Sequence, residues 1–208
     1  MLEIQGINKS FGEHKVLKNV NTVFDDGGIY CLMGASGMGK TTLLRIILGL
    51  ETKDSGEIIG INTDEISVMF QENRLCETLT PVENLALVCP KDITKKEIQK
   101  SLEKILPSDC LKQPVSELSG GMKRRVALAR AVIYPSKLVI FDEPFTGLDV
   151  ETKKEVISYL LQNQNGRIYI IATHGESDAQ MLGATRLELA NISENDGGEC
   201  SCTDWDLI

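Results

Sequence analysis

One segment of the 208-residue chain, residues 34–41, combines glycines, a lysine and a hydroxyl residue at a spacing suited to phosphate binding. Its sequence, GASGMGKT, fits the pattern G-x-x-x-x-G-K-[ST] at every fixed position. Glycines allow consecutive backbone N–H groups to turn towards a phosphate. We expect Lys40 to present a positive charge to the β- and γ-phosphates, and Thr41 to offer Mg²⁺ a hydroxyl ligand. The alternative is a glycine-rich turn with a solvated lysine, which the apolar segments on both sides disfavour.

Two acidic residues, Asp142 and Glu143, follow the apolar run 138–141. A hydrophobic strand that ends there would place both carboxylates at the carboxyl edge of a sheet, where α/β proteins bind ligands. Because side chains alternate along a strand, we expect the two to point in opposite directions and to have different roles. One would hold Mg²⁺ through water, and the other would polarise a water that attacks the γ-phosphate. A turn made by Asp142, Glu143 and Pro144 is the structural alternative.

A third segment, residues 118–125, has the sequence LSGGMKRR. Ser119, Gly120 and Gly121 at a predicted helix start would provide an N-cap and free N–H donors, which together form a second anion site. The basic residues that follow oppose the helix dipole, so we expect nearby acids or phosphates to compensate them. Taken alone, such a segment usually forms a capped helix at the surface.

The elements that must position these segments follow from alternating apolar runs and helical patterns, which predict a mainly parallel α/β sheet. Predicted strands and apolar runs lie at 2–24 (two or three short strands), 29–33, 68–70, 138–141, 168–172 and, at the sheet edge, 185–189. The phosphate loop and the acidic pair each directly follow one of these runs, whereas LSGG does not. The pattern therefore predicts that the phosphate loop and the acidic pair lie at one edge of the sheet, and we expect LSGG of the same chain to lie far from the phosphate loop.

Helices are predicted between these runs. One begins near Thr41 and is closed by Gly49, and another turns Val156, Ile157, Leu160 and Leu161 inward. Residues 73–117 contain four prolines and lack a strong strand pattern, which indicates an inserted helical lobe. Within it, Thr94 and Glu97 form a capping box for a helix that would bury Ile98, Leu102 and Ile105.

Composition and charge exclude several classes of protein. The chain has 22 Lys and Arg against 30 Asp and Glu, a net charge of −8, which argues against non-specific nucleic-acid binding. Its apolar runs are too short to cross a bilayer, and the N-terminus lacks a signal-peptide pattern, so we expect a cytosolic protein. The last 18 residues contain five acids and neither Lys nor Arg, which predicts an acidic tail at 191–208. In that tail, Cys200 and Cys202 lack the second pair that a zinc site would need.

Six motifs in this order resemble the ATP-binding subunit of an ABC transporter over about residues 1–190. They are the phosphate loop, Gln71 after Phe70, the LSGG sequence at 118–121, the Asp142-Glu143 strand, Gly147-Leu148-Asp149, and His174. The resemblance implies a P-loop NTPase fold of the ABC ATPase type, with a parallel sheet core, a small antiparallel β lobe and an inserted α-helical lobe. It places the ATPase domain at 1–190, the inserted lobe at about 72–130, and the tail at 191–208.

The resemblance also implies ATP and Mg²⁺ as cofactors and assigns roles to residues. Catalytic roles fall to Glu143, His174 and Gln71, and metal binding falls to Thr41, Gln71 and Asp142. The implied nucleotide-binding residues are Phe11 (stacked on adenine), Gly34, Ser36, Gly37, Gly39, Lys40, Thr41, Thr42, Ser119, Gly120, Gly121 and Asp149. Asp149 is also expected to be the N-cap of the following helix.

In this family, ATP is held between the phosphate loop of one copy and the signature of another. The implied partners are therefore a second copy or a paired ATPase subunit, integral membrane permease subunits docked near Gln71 and the helical lobe, and possibly a solute-binding protein, with no nucleic acid. The implied location is the cytoplasmic face of the membrane. Details such as the segment 71–75 resemble small importer subunits, including the nitrate, sulfonate and taurine type. An exporter, lipoprotein-release or cell-division ATPase is the alternative.

Three features depart from the common pattern of the family. Met122 and Arg124 stand where Gln is frequent, which alters the helix beyond the two glycines rather than the phosphate donors. The segment between Lys40 and Gln71 is shorter than usual, which implies a trimmed antiparallel lobe. We also expect the acidic tail to follow the core without a regulatory domain.

Overall fold

The computed structural model describes residues 1–193, which form eight strands, seven α-helices and three short 3-10 helices at Thr63–Glu65, Ser108–Lys112 and Val115–Glu117. The strands are β1 (Leu2–Phe11), β2 (His14–Phe24), β3 (Ile29–Met33), β4 (Ser55–Ile59), β5 (Ile66–Met69), β6 (Leu138–Asp142), β7 (Ile168–Ala172) and β8 (Thr185–Glu188). The helices are α1 (Lys40–Ile47), α2 (Pro81–Ala86), α3 (Lys95–Leu102), α4 (Gly120–Ile133), α5 (Val150–Gln162), α6 (Glu176–Leu182) and α7 (Leu189–Ile192).

Five strands form a parallel sheet in the order β5-β6-β7-β3-β8. Strands β6 and β7 are buried along their whole length, as expected for short β-branched runs covered on both faces. Their side chains alternate between two clusters. Val139, Phe141, Tyr169 and Ile171 pack on the face that carries the helical lobe and α4, and Leu138, Ile140, Ile168 and Ile170 pack against α1 and the smaller sheet.

A separate antiparallel sheet has the order β2-β1-β4. Its β1–β2 hairpin turns at residues 12–13, where Gly12 has a φ of +60° that a glycine adopts without strain. Leu2, Ile4 and Ile7 point from β1 into the core shared with α1. The sheet therefore lies over the helix that follows the phosphate loop.

Helices α2 and α3 lie between β5 and β6 in the sequence, as predicted for the region 73–117. Thr94 accepts a hydrogen bond from the backbone N–H of Glu97, whose side chain accepts from the N–H of Thr94 in return. This capping box sets the start of α3, and Ile98, Leu102 and Ile105 are buried as predicted.

The predicted α/β class, with a parallel core and a small antiparallel sheet, is confirmed. The prediction that Leu161 of α5 turns inward is wrong, because Leu161 is 41% exposed, whereas Tyr159 is 2% exposed. The buried stripe follows Val156, Tyr159 and Leu160, and Leu161 lies past its edge because each residue turns about 100° around the helix.

The predicted acidic tail, with Cys200 and Cys202, lies almost wholly outside the described residues. In residues 1–193, each helix is too short or too polar to cross a membrane.

Candidate functional site

Four neighbouring strands deliver the predicted site residues to one edge of the parallel sheet. Strand β3 leads into the loop 34–39, β7 is followed by His174, β6 ends at Asp142 and Glu143, and β5 is followed by Gln71. Because all four strands run in the same direction, their carboxyl ends meet at the same edge. Segments far apart in sequence are thus brought into one site.

The phosphate loop wraps around Lys40, the first residue of α1. Nζ of Lys40 donates hydrogen bonds to the carbonyl oxygens of Gly34 at 2.5 Å and Ala35 at 3.1 Å, and Lys40 is only 7% exposed. Gly39 has a φ of +97°, and a Cβ there would lie 2.8 Å from Cγ1 of Val16. The loop can therefore take this shape only with glycine at position 39.

The loop opens onto a cavity of about 370 Å³ at the edge of the sheet. It is lined by Phe11, His14, Val16, Ser36, Gly37, Gly39, Lys40, Thr41, Thr42, Gln71, Asp142, Glu143 and His174. Its walls combine one buried lysine with two carboxylates, an amide and three hydroxyls. This set of groups suits a phosphorylated ligand and a hard cation that accompanies it.

Glu143 lies against His174, with Oε1 of the glutamate 2.9 Å from Nε2 of the histidine. Burial raises the pKa of the Glu143 carboxyl above its ordinary value, and the neighbouring imidazole opposes part of that increase. Since the glutamate is half-buried and the histidine is 56% exposed, the pair has one side in the protein and one in the cavity. A carboxylate held in this way can accept a proton from a water molecule.

The expectation that Asp142 and Glu143 point in opposite directions is wrong, because both line the same cavity. Strand β6 ends at Asp142, and Glu143 has a φ of +52°, which leaves the extended conformation in which side chains alternate. The backbone N–H of Glu143 still donates to the carbonyl of Ala172 at 2.9 Å. The turn thus directs both carboxylates to one site.

Oxygen donors suited to Mg²⁺ line this cavity in the side chains of Thr41, Gln71 and Asp142. Burial raises the pKa of the Asp142 carboxyl, while Arg124, Lys40 and His174 lower it, in that order of size. In residues 1–193, there is no cluster of three His, Cys, Asp or Glu side chains that could hold a metal alone. The donor set therefore fits a magnesium ion that completes its coordination with water and ligand phosphates.

The segment that carries His174 is fixed by a buried carboxylate. Asp178, 3% exposed, accepts hydrogen bonds from the hydroxyl of Thr173 at 2.7 Å and from Nζ of Lys153 at 2.8 Å. The hydroxyl of Thr173 in turn accepts from the N–H of Gly175 at 3.1 Å. These bonds connect the histidine segment to α5. We did not predict a role for Asp178, since an isolated aspartate in an amphipathic helix carries no distinguishing sequence signal.

The remaining predicted nucleotide-binding residues lie outside the lining of this cavity. Ser119 is the N-cap of α4, and its Oγ accepts from the N–H of Met122 at 3.3 Å. Asp149 caps α5 in the same way, with Oδ1 accepting from the N–H of Thr152 at 2.9 Å. Both predicted N-caps are confirmed. Within the described part of the chain, the cavity wall includes none of Gly34, Ser119, Gly120, Gly121 and Asp149.

At the other end of the cavity, Phe11 is 50% exposed and lies at the end of β1. Nζ of Lys9 lies 4.8 Å from its ring centroid, which leaves the rest of the ring accessible. His14, for which the sequence predicts no role, also lines the cavity. It pairs with Phe11 across the β1–β2 hairpin.

Comparison with known proteins agrees with this arrangement. The family described as "ABC transporter" matches residues 17–146. The sulfate/thiosulfate import ATP-binding protein CysA of Pectobacterium atrosepticum is 36% identical over 210 residues, covering 91% of this chain and 63% of that protein. The spermidine/putrescine import ATP-binding protein PotA of Spiroplasma citri is 34% identical, covering 88% of this chain and 57% of that protein. The chain thus spans less than two thirds of these relatives.

Solved structures resemble the fold over most of its length. The ATP-binding cassette MJ0796, in a dimeric post-hydrolysis state bound to ADP and Pi, has a TM-score of 0.77 and 27% identity. The alignment covers 87% of this chain and 91% of that one. A second dimeric structure of the same cassette has a TM-score of 0.76. The motifs, the geometry of the sheet edge and these matches together show that this chain belongs to the ABC transporter family.

Proposed function

We propose that this chain binds and hydrolyses ATP to power an ABC transporter, and that the transporter imports a solute. The observation that carries the proposal is the single cavity that brings together Lys40, the carboxylate of Asp142 and the Glu143–His174 pair. Relatives that are import ATP-binding proteins, at 36% and 34% identity, support the direction of transport.

In this proposal, the triphosphate lies along the loop 34–39. Lys40 would exchange the carbonyls of Gly34 and Ala35 for phosphate oxygens, because its ammonium gains more from an anion than from neutral carbonyls. The N–H groups around Ser36, Gly37 and Gly39, together with the start of α1 and the hydroxyl of Thr42, would bind the same phosphates. Phe11 would stack on the adenine at the far end of the cavity.

The cation in this proposal is Mg²⁺, held by Thr41, Gln71 and Asp142. Bound there, it would neutralise part of the charge that develops on the phosphates. The chain's own contribution is to supply one carboxylate and two neutral oxygens within a cavity whose buried lysine offsets part of the negative charge.

Hydrolysis would depend on Glu143, with its carboxylate accepting a proton from the attacking water. His174 would hold that carboxylate through the 2.9 Å contact and would itself face the γ-phosphate. The partly buried position favours this role, because the raised pKa of the Glu143 carboxyl makes it a stronger base than an exposed glutamate.

The nucleotide would be enclosed by a second ATPase copy. Ser119 and Gly120 are exposed at the start of α4, and Asp149 is exposed at the start of α5, outside the cavity of their own chain. The free N–H groups at the start of α4 favour an anion. The dimeric state of the cassette MJ0796 supports such an arrangement. The pair would be a homodimer or two related subunits.

The proposed membrane partner is a permease subunit that docks beside Gln71 and the helical lobe. There, Val88 is 37% exposed and lines a cavity of about 390 Å³ together with Ile66, Val68, Arg130 and Tyr134 among others, and its neighbour Leu87 is 61% exposed. An exposed apolar patch of this kind favours contact with another protein. A solute-binding protein would supply the cargo, and the chain would lie on the cytoplasmic face of the membrane.

The proposed domain division assigns 1–190 to the ATPase domain, with an inserted helical lobe at about 72–130. Helices α2 and α3 and the first part of α4 fall within that lobe. The negative net charge of −8 supports the expectation that nucleic acid is not a partner.

The test is phosphate release from Mg-ATP by the purified chain and by Glu143→Gln. We expect a reduction on the order of 10² to 10⁴-fold, the usual contribution of a general base. The control is Glu155→Gln, which removes one exposed acid from α5 and should leave the rate unchanged. A wild-type chain that releases no phosphate, or equal rates in wild type and Glu143→Gln, would contradict the proposal. Reconstitution with the co-purified native permease would then test transport.

A further inference from the structure

Arg124 lies in the second turn of α4 and is only 6% exposed. Its guanidinium makes six hydrogen bonds, and each acceptor is a carbonyl oxygen. The acceptors are the backbone carbonyls of Phe70 (3.3 Å), Gln71 (2.5 Å), Asp142 (2.9 Å), Glu143 and Pro144 (3.3 Å) and the side-chain amide of Asn73 (3.2 Å). One side chain thus binds two separate segments of backbone.

These two segments carry the proposed γ-phosphate machinery. Residues 70–73 follow β5 and include Gln71, and residues 142–144 begin at the last residue of β6 and include Glu143. We propose that Arg124 is a positioning residue that holds Gln71 and Glu143 in register with each other and with the helix that begins at Ser119. The inference rests on the proposed ATPase function and assigns to that site a residue that does not touch the nucleotide.

Arginine suits this position because of its number of donors. Its guanidinium has five N–H groups in a rigid plane, whereas a lysine has three on a flexible stem and a glutamine has two. Only the arginine can reach both segments at once with enough donors for most of these carbonyls. The sequence around Arg124 predicts no effect on the phosphate donors, because nothing in it shows which carbonyls surround the guanidinium.

The hydrogen bonds of Arg124 stabilise the backbone turn at Glu143. A non-glycine residue with a φ of +52° is strained and persists only when surrounding contacts fix it. Arg124 binds the carbonyls before, at and after this residue, and the N–H of Glu143 donates to Ala172. Without the guanidinium, we expect the turn to relax and the carboxylate to leave its contact with His174.

A second arginine extends the attachment of the segment 70–74 to α4. Arg130 donates to the carbonyl of Arg74 at 2.7 Å and to that of Asn73 at 3.1 Å, about one and a half turns beyond Arg124. The segment that carries Gln71 is therefore fixed to α4 at two points. Displacement of Gln71 would be transmitted to the start of α4, where Ser119 faces the second copy in the proposed dimer.

The experiment compares Arg124→Gln and Arg124→Lys with wild type in the full chain. The matched control is Lys123→Gln, which removes the same charge from the neighbouring position, where Lys123 pairs with Glu77 at 2.8 Å. Steady-state phosphate release gives kcat and KM, and a fluorescent ATP analogue gives the nucleotide affinity without turnover.

A positioning role predicts that Arg124→Gln lowers kcat by on the order of 10- to 100-fold, the usual cost of misplacing a reacting group by about 1 Å. Nucleotide affinity should change by less than about threefold, because Lys40 and the loop are untouched. Arg124→Lys should recover part of kcat, and Lys123→Gln should match wild type.

Three results would overturn the inference. The first is a kcat for Arg124→Gln within about twofold of wild type. The second is a parallel loss of nucleotide affinity and kcat, as expected from misfolding. The third is a kcat for Arg124→Lys no higher than that for Arg124→Gln. If Arg124→Gln does not fold, an unchanged kcat in Arg124→Lys would refute the role. Absence of hydrolysis in wild type would instead refute the proposed function.

Discussion

The phosphate-loop cavity and the start of α4 differ in how closely the rest of the chain packs around them. In the cavity, Lys40 is buried and bound to two carbonyls, and Gly39 is packed so closely that a Cβ would clash. At the start of α4, Ser119 and Gly120 are exposed, and a Cβ added to Gly120 would meet open space among residues 1–193. The first region is shaped by its own chain. The second offers donors to something outside it, which supports the proposal that a second copy completes the site.

The largest expected effect comes from removing the charge at the centre of the cavity. Lys40→Ala should reduce ATPase activity by about 100-fold or more, as loss of a single preorganised group does elsewhere. The variant should also lose nucleotide affinity, measured by titration calorimetry, because the phosphates lose their buried cation. Lys15→Ala, which removes an exposed lysine of β2, is the control. Full activity in Lys40→Ala would show that the cavity does not hold the triphosphate.

At the start of α4, the substitution Gly120→Asp should raise the stability of the helix and lower the ATPase activity. Gly120→Asp places an acid in the first turn of α4, which stabilises a helix by about 0.3–1 kcal/mol. The same carboxylate would face the partner's phosphates, and we expect at least about a tenfold lower ATPase rate from the like-charge contact. Thermal unfolding and phosphate release measure the two effects separately.

Gly120→Ala is the control for that experiment, because the added methyl group has room and carries no charge. It should reduce activity less than the aspartate does. If Gly120→Asp is as active as wild type, the start of α4 does not face a nucleotide.

A smaller effect is expected at the adenine end of the cavity. Phe11→Ala should weaken ATP binding by about tenfold, since stacking of a base on an aromatic ring contributes about 1–3 kcal/mol. Stability should barely change because the ring is half exposed. Phe11→Trp should bind at least as tightly as wild type. Equal affinities for the alanine and tryptophan variants would remove Phe11 from the site.

Much of this fold could be predicted because the decisive signals are local. The strand 29–33 before the phosphate loop and the capping box of Thr94 and Glu97 depend on neighbouring residues, and both occur where the sequence placed them. The carboxyl ends of the strands could also be placed, because apolar runs that end in polar residues mark the edge of a parallel sheet.

The features that escaped prediction depend on distant parts of the chain. Arg124 contacts the carbonyl of Gln71, 53 residues away, and such a carbonyl has no sequence signature. The φ of Glu143 is set by bonds to Arg124 and Ala172 rather than by its own residue type. Leu161 is predicted to be buried and is exposed instead, because the sequence pattern does not distinguish a hydrophobic residue beside a buried stripe from one within it.

The proposed function requires a nucleotide shared between two copies, and the variant Glu143→Gln tests this sharing. The substitution keeps Lys40, Asp142 and the open start of α4, but it prevents the loss of ATP that would release the dimer. Light scattering after size-exclusion chromatography with saturating Mg-ATP should give twice the monomer mass. Glu143→Gln combined with Lys40→Ala should give the monomer mass. A Glu143→Gln chain that binds ATP and stays monomeric would contradict the account.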